Sequence, residues 1–403
     1  MRISTNQFYQ TGLNNILDQQ RNLSATQDKI SSGLKVTKPS DDPVATITII
    51  NLEQEIALTE RYNKNIDIAT ANLDTEETVL QQLTDIMQRV RELILSAGNA
   101  TYGNVERGSL AEEMEGILEQ VVGLANFKNT AGDYLFGGHK NNLTPFTQDA
   151  AGNYTYNGDQ GIRNIQVSTS TQIAANDSGY SVFQNILNGN GDFVTAADSA
   201  NTGRGVIDSG GVVDPVSYVP DSYDINIVDL GGGTLGYDVI DSGGATVVAG
   251  APFVEGGDIS FNGINLSITG TPDIGDSFTL TPSSRQDVFT TIRDTVTALR
   301  TNVIDESDLA QLNTQLKTSL DNVDQVMQNF GVIQADVGTR LNVLQSQSLI
   351  NNDFVLSSKV TLSKVRDLDI AEAITDLNIR QISLEAAQAS FVRIQNLSLF
   401  NFL

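Results

Sequence analysis

Apolar positions recur every seven residues through a long stretch of the first half of the chain. They run Ile66, Leu73, Leu80, Met87 and Ile94, with a companion seam three residues on at Ala69, Glu76, Leu83, Val90 and Ala97. Two such positions per heptad form a narrow stripe along a long helix packed lengthwise against others. Only Glu76 breaks it. Gly98 and Gly103 predict the end of this helix, and 104–125 reads as a further helix leading to a break at 129–132. The end of the chain repeats the pattern at Leu309, Leu316, Val323, Phe330, Val337 and Leu344, supported by Leu312, Val326 and Ile333. After Asn351-Asn352 a second segment carries Leu377, Leu384 and Phe391, with Ala387 and Ile394 beside them. No proline follows Pro282, so nothing forces a break in this region. The remaining faces are polar, and helices with so narrow a stripe need partner helices.

Between these halves the period changes from helix to strand. Tyr223 to Val228, Gly236 to Ile240 and Thr246 to Val248 read as strands, and Ile259 to Phe261 followed by Ile264 to Ile268 flank Asn262-Gly263. Asn-Gly between two alternating runs is a strong hairpin signal, because both turn positions need positive φ. Residues 188–215, rich in Gly, Asp, Asn and Ser, read as a loose loop. The expected fold is α+β: a long antiparallel helical coiled-coil rod built from both ends of the chain, with an inserted all-β domain. The expected domains are 1–45 with 365–403 as terminal assembly helices, 46–144 with 286–364 as the rod, and 145–285 as the insert.

Charge sharpens this division. The 403 residues carry a formal net charge of -25, yet the balance is uneven. The insert holds 16 acidic and 3 basic side chains and no Lys, whereas residues 1–50 hold 5 basic and 4 acidic ones. A near-neutral arm packs against copies of itself more readily than an acidic body does. The acidic total argues against nucleic acid and anionic membrane surfaces, which attract basic footprints. No run of about 18 apolar residues predicts a membrane span. The opening Met1-Arg2-Ile3-Ser4 leads into no apolar core of signal-peptide length, so no cleaved leader is expected.

Candidate chemistry is sparse. There is no Cys, which excludes disulfides and thiol catalysis, and His139 is the only His, in a glycine-rich loop. Gly231-Gly232-Gly233-Thr234-Leu235-Gly236 fits a dinucleotide fingerprint formally. That motif needs a strand feeding a helix, and here a second strand follows, so a turn between strands is expected. Asn188 to Asp192 lacks the ligand spacing and terminal Glu of a calcium loop. The acidic pairs Glu76-Glu77 and Glu112-Glu113 are expected on solvated helix faces. No catalytic, cofactor or metal residues are assigned.

The ends carry the remaining information. Gly33 suits a helix C-cap, Pro39 stops continuation, and Ser40 or Asp41 caps a new helix with Pro43 in its first turn. The last seven residues include Leu397, Leu399, Phe400, Phe402 and Leu403, an apolar tail that either tucks into the protein's own core or forms an oligomerisation surface. The expected assembly positions are Phe8, Leu13, Ile16, Leu23 and Ile30 near the start, and Leu377, Leu384, Phe391, Ile394, Leu397 and Phe400 near the end. In a free subunit, 1 to about 40 and about 365–403 bury too little apolar surface to offset an ordering cost of roughly 1–2 kcal/mol per residue, so they are expected to fold on assembly.

The run from Gln27 to Val36, followed by Pro39-Ser40-Asp41-Asp42-Pro43-Val44-Ala45, resembles the N-terminal signature of the bacterial flagellin family. The segment from Leu384 to Phe400 resembles its C-terminal signature. Residues 1–160 and 285–403 share the likeness, and the insert matches only loosely. Three features resemble the branch of the family that joins hook to filament: the opening Met1 to Tyr9, the two prolines of the Pro39 to Pro43 motif, and Tyr134 to Gly138 with Thr144-Pro145-Phe146. Filament members usually read Ala-Lys-Asp-Asp-Ala in that motif. Ser32, Gly33, Pro39, Asp41, Asp42 and Pro43 form the signature turn.

The resemblance implies an axial structural protein, not an enzyme and without cofactor, exported to the extracellular flagellum by a type III route without a cleaved leader. Its implied partners are copies of itself in a ring, a hook-side junction protein, flagellin and an export chaperone, with no nucleic acid and no membrane insertion. The terminal helices would form an inner tube and the β-insert would face outward. A filament flagellin stays open as an alternative. So does, from a different class, a secreted ligand-binding protein with its β-domain on a helical stalk.

Overall fold

The computed structural model describes residues 5–99 and 101–396; side chains at 5, 6, 8 and 394–396 lie outside the described set. The architecture is α+β, with long helices at both ends and a central β-rich region. The helices are α1 (Thr5–Ser32), α2 (Pro43–Ala97), α3 (Asn104–Ala125), α4 (Val288–Arg300), α5 (Glu306–Arg366) and α6 (Ile370–Asn396). By contacts the chain divides into two compact units, Met1–Asn65 with Ser346–Leu403, and Ile66–Gln345.

In the larger unit both heptad seams of α2 are buried, from Ile66 and Ala69 through Ile94 and Ala97. They share one core with Leu316, Val323, Phe330, Val337 and Leu344 of α5, and with Met114 and Val121 of α3. Arg91 on α2 pairs with Asp324 on α5 at 2.8 Å across an exposed edge. Glu76 does not face solvent. It occupies its seam position at 0 % exposure, which corrects the expectation of a solvated face.

The smaller unit has a different balance. Its helices meet through Asn63 with Asn352, Glu60 with Lys359 and Glu53 with Arg366. Among its described residues only Ile56, Leu362 and Ala373 are buried apolar side chains. The helix also continues past Asn351-Asn352, where the sequence suggested a new segment. Gln347 donates to Asn351, and Asn63 donates to Asn352, so both amides have partners and no Gly or Pro stops the helix. The division falls instead at Asp367 to Asp369. There Asp369 accepts from the backbone N–H of Ala371 and Glu372 and caps α6.

The β-rich region holds two kinds of structure. The first strands are β1 (Phe146–Gln148), β2 (Tyr154–Tyr156), β3 (Asn164–Gln166), β4 (Gln172–Ala174) and, after a π-helical turn at Tyr180–Gln184, β5 (Ile186–Leu187). This stretch packs into the helical core. Phe146 and Phe183 lie 5.0 and 5.8 Å from the Phe289 ring, and Phe183 lies 6.2 Å from Phe330. Asn329 on α5 donates to the backbone of Ser181 and Val182, and Asn322 accepts from the Gly189 N–H at 2.6 Å, which fixes the path of the chain across the helix.

Residues 193–280 form a core of their own. The strands are β6 (Phe193–Ala197), β7 (Val206–Ile207), β8 (Gly211–Val212), β9 (Tyr223–Asp229), β10 (Leu235–Asp241), β11 (Thr246–Pro252), β12 (Asp258–Phe261), β13 (Ile264–Thr269) and β14 (Ser277–Pro282). One antiparallel sheet has the order β11-β10-β9-β14-β6, and a second is centred on β13. Alternate residues such as Tyr223, Ile225 and Ile227 face inward against Ile259, Leu266, Ile268, Phe278 and Leu280. The hairpin at Asn262-Gly263 forms as the sequence suggests, with φ of 44° and 77°. Gly231, Gly232 and Gly233 turn β9 into β10, all at positive φ.

The expected loose loop at 188–215 is corrected: it contributes β6, β7 and β8. Phe193 and Ile207 are buried in this core, and Asp208 accepts from the backbone N–H and hydroxyl of Ser267. Its Gly and Asp residues punctuate very short strands, a pattern that resembles a loop in composition alone. The module enters and leaves at one place. β5 pairs antiparallel with β15 (Arg285–Gln286), and Asn188 and Ser284 exchange hydrogen bonds of 2.7 to 3.0 Å.

Candidate assembly surface

The signature turn is held by its own side chains. Gly33 ends α1 at φ 70° with its N–H donating to Lys29 C=O, and Ser32 donates to the same carbonyl. Asp41 accepts from the Thr37 hydroxyl and the Lys38 N–H; the Thr37 bond, above all, holds its carboxyl below the usual carboxylate range. The cap of α2 is Asp42 rather than Ser40 or Asp41. It accepts from the N–H of Val44 and Ala45, leaving Pro43 at the first helical position, where no N–H is needed. This turn meets the one between α5 and α6. The Lys35 N–H donates to Arg366 C=O at 2.7 Å, and the Leu368 N–H donates to Gly33 C=O at 2.9 Å.

From that junction α1 and α6 run antiparallel. Gly12 lies against the Phe391 ring, and Tyr9 meets the same ring edge-on at 6.2 Å. Of the expected assembly positions, Ile16, Leu23, Ile30, Leu377, Leu384 and Phe391 are half-buried, while Leu13 is 50 % exposed. The side chains of Phe8 and Ile394, and residues Leu397 and Phe400, lie outside the described residues.

Several exposed apolar side chains escaped the sequence reading. On α1 and α6 they are Leu17, Ile374, Ile379, Ile382 and Val392, and on α2 they are Val44, Ile47 and Ile50. Leu349, Ile350, Phe354, Leu356 and Val360 add a third group on α5. Val44, Ile47 and Ile50 are three residues apart and share one face, a spacing visible in the sequence but without its partner. So much bare apolar surface on a unit with so little core makes this unit the candidate surface for contact with other chains.

A crevice of about 950 Å³ beside the junction is lined by Lys29, Lys35, Lys364 and Arg380 together with Asp367, Glu372 and Asp376. Its charges alternate, and Arg380 already pairs with Asp376 at 2.7 Å. Among the described residues no three His, Asp or Glu side chains converge as a metal site, and no helix is long and apolar enough to cross a membrane.

Helices from both chain ends, joined turn to turn and bearing exposed apolar faces, are shared with structural proteins of the bacterial flagellum. The profile for the bacterial flagellin N-terminal helical region matches residues 3–141. The flagellar hook-associated protein 3 of Salmonella typhimurium is 28% identical over 408 aligned positions, covering 99% of each chain. The crystal structure of flagellar hook-associated protein 3 from Legionella pneumophila is 31% identical. It aligns with a TM-score of 0.77 over 79% of this chain and 98% of that one. By contrast, the flagellar filament 41 kDa core protein of Borreliella burgdorferi, 30% identical, matches over only 26% of this chain and 31% of its own. The chain belongs to the flagellar hook-associated protein 3 family, whose members are structural flagellar proteins.

Proposed function

We propose that this chain is the structural subunit that joins hook to filament in the bacterial flagellum and seeds flagellin assembly. The observation that carries the reading is the smaller unit, where helices from both ends leave Val44, Ile47, Ile374 and Ile382 exposed. Full-length likeness to hook-associated protein 3, against partial likeness to filament proteins, favours the junction over the filament. In this reading residues 1–45 with 365–403 are the assembly arms, 46–144 with 286–364 the rod, and 145–285 the outward-facing module. The Leu13, Leu17 and Ile382 faces then pack on neighbouring copies in a ring, with a hook-side junction protein below and flagellin above. An export chaperone covers the same apolar surface before the subunit leaves the cell by the type III route.

Purified protein added to flagella that end at the hook tests this directly. Binding at the tip only after the hook-side junction protein is in place is the expected result, with flagellin then growing from that tip. Propagation into long filaments by the purified subunit alone would instead make it a filament protein. Saturable binding of a sugar or metal with no affinity for hook ends would move it to the ligand-binding class.

A further inference from the structure

We propose that Glu76 is held as the neutral acid in the folded subunit and acts as a pH-sensitive pin joining α2, the segment 174–177 and α5. The three elements come from distant parts of the chain, and one guanidinium ties two of them together. Arg340 on α5 contacts Asp177 at 2.5 Å and Asp336 one turn back on α5 at 2.6 Å, and its Nη1 donates to Ala174 C=O at 3.4 Å. The Arg340 and Asp177 side chains are 11 % and 16 % exposed, so this pair is poorly screened by solvent. Glu76, on α2 at 0 % exposure, lies within the fields of both the Asp177 and the Arg340 charges.

The Glu76 carboxyl lies against Asp177, whose carboxylate and backbone N–H both act on it, although neither Glu76 oxygen meets a donor at full hydrogen-bond geometry. The buried Arg340 Nε is unpartnered. An ionised carboxylate in that position would cost several kcal/mol without pairing. Ionised Glu76 would also be the third carboxylate drawing on one guanidinium, after Asp177 and Asp336. The neutral acid removes that conflict and supplies an O–H that can donate to the Asp177 carboxylate. Burial, first, and the Asp177 charge, second, push the Glu76 carboxyl well above its usual range, with the Arg340 charge opposing.

The consequence is a fixed sign of pH dependence. Below the ordinary carboxylate range Glu76 is protonated in the folded and unfolded chain alike, and the pin is fully present. As pH rises past that range the unfolded chain gives up the proton and the folded one keeps it. Stability is then lost progressively until the folded group ionises as well.

The test compares thermal or urea unfolding of the full chain with that of Glu76→Gln between about pH 5 and 8. Glutamine keeps the shape and the neutrality but cannot titrate. The stability of the variant relative to wild type is expected to grow with pH, by a factor of about ten in the unfolding equilibrium per pH unit inside the window. Taking the difference cancels the other carboxylates. A difference that stays constant with pH overturns the proposal.

Should Glu76→Gln fail to fold, Asp177→Asn serves as the second variant. Removing that charge makes Glu76 easier to ionise, so the loss of stability should end at lower pH than in wild type; an unmoved end point counts against the pin. An infrared band of a buried protonated carboxyl, present in the native chain at neutral pH, is the independent signature, and its absence rules the neutral acid out.

Discussion

Leu34 and Asp367 pair as an isolated antiparallel bridge, fastening the turn after α1 to the turn before α6. Two backbone bonds make the link, and one depends on the Lys35 N–H. Lys35→Pro removes that donor while Leu34 keeps the extended backbone that a following proline favours. The expected cost is about 0.5–1.5 kcal/mol. Hydrogen exchange on the hook-bound subunit should show the Leu368 amide losing protection in the variant. An amide equally protected in both proteins would mean the bridge does not fasten the turns.

A Cβ on Gly12 would sit 2.8 Å from the Phe391 ring, so this position admits no side chain while the ring stays in place. Gly12→Val should weaken the α1–α6 contact by about 1–3 kcal/mol, as overpacking does. Retention of the subunit on hook ends reads this out. Adding Phe391→Ala should recover much of the loss, because the two residues share one contact. Additive losses in the double variant would place the fault elsewhere.

Ile47 is 61 % exposed on α2 and Ile374 is 47 % exposed on α6. Replacing either with Asp should leave the unfolding midpoint of the free subunit within about 0.5 kcal/mol of wild type, since surface changes rarely do more. Binding to hook ends should nonetheless be lost, because a charge would be buried in the contact. A large drop in monomer stability would show that these faces are covered within the subunit.

Limited proteolysis addresses the arms. The smaller unit buries few apolar side chains, and the free subunit is expected to lose about 40 residues from each end under mild digestion, leaving the larger unit intact. Incorporation into hook ends should protect both arms. Termini that resist protease in the free subunit would separate ordering from assembly.

The Tyr156 hydroxyl lies 2.8 Å from the carbonyl oxygens of Phe136 and Asp159, and accepts from the Gly179 N–H at 3.2 Å. Tyr156→Phe leaves these groups short of a partner and should cost about 1–3 kcal/mol. Burial, the main cause, pushes the hydroxyl up to about 12. Because the folded value is raised, the stability tied to the neutral phenol is present below the ordinary tyrosine range and is lost as pH climbs from there towards about 12. Alkaline unfolding of wild type and variant should therefore converge across that interval.

The seams of α2 and α5 were legible because period seven is a property of the chain alone, and Leu73, Leu80, Val323 and Phe330 sit where that period puts them. Asn262-Gly263 was legible for a similar local reason. What was not legible depended on neighbours. Glu76 looked like a flaw or a solvated acid until Arg340 and Asp177 arrived beside it from far along the chain. Phe193 and Ile207 lay in a stretch whose Gly and Asp content masked strands of two to five residues. The exposed faces at Ile47 and Ile374 were hidden because a pattern search rewards apolar residues for being inside. Asn351-Asn352 looked like a stop and became part of a helix because partner amides satisfied both side chains.

The paired strands β5 and β15, clasped by Asn188 and Ser284, have a practical consequence. Residues 193–280 have their own interior, and their two ends leave side by side. The module is tied to α5 by Thr318 donating to Thr195 C=O, Gln311 donating to the Ser199 and Asn201 carbonyls, and the Arg204–Glu306 pair. The same doorway offers a grafting point, where a foreign domain with adjacent termini could be carried in place of the native module.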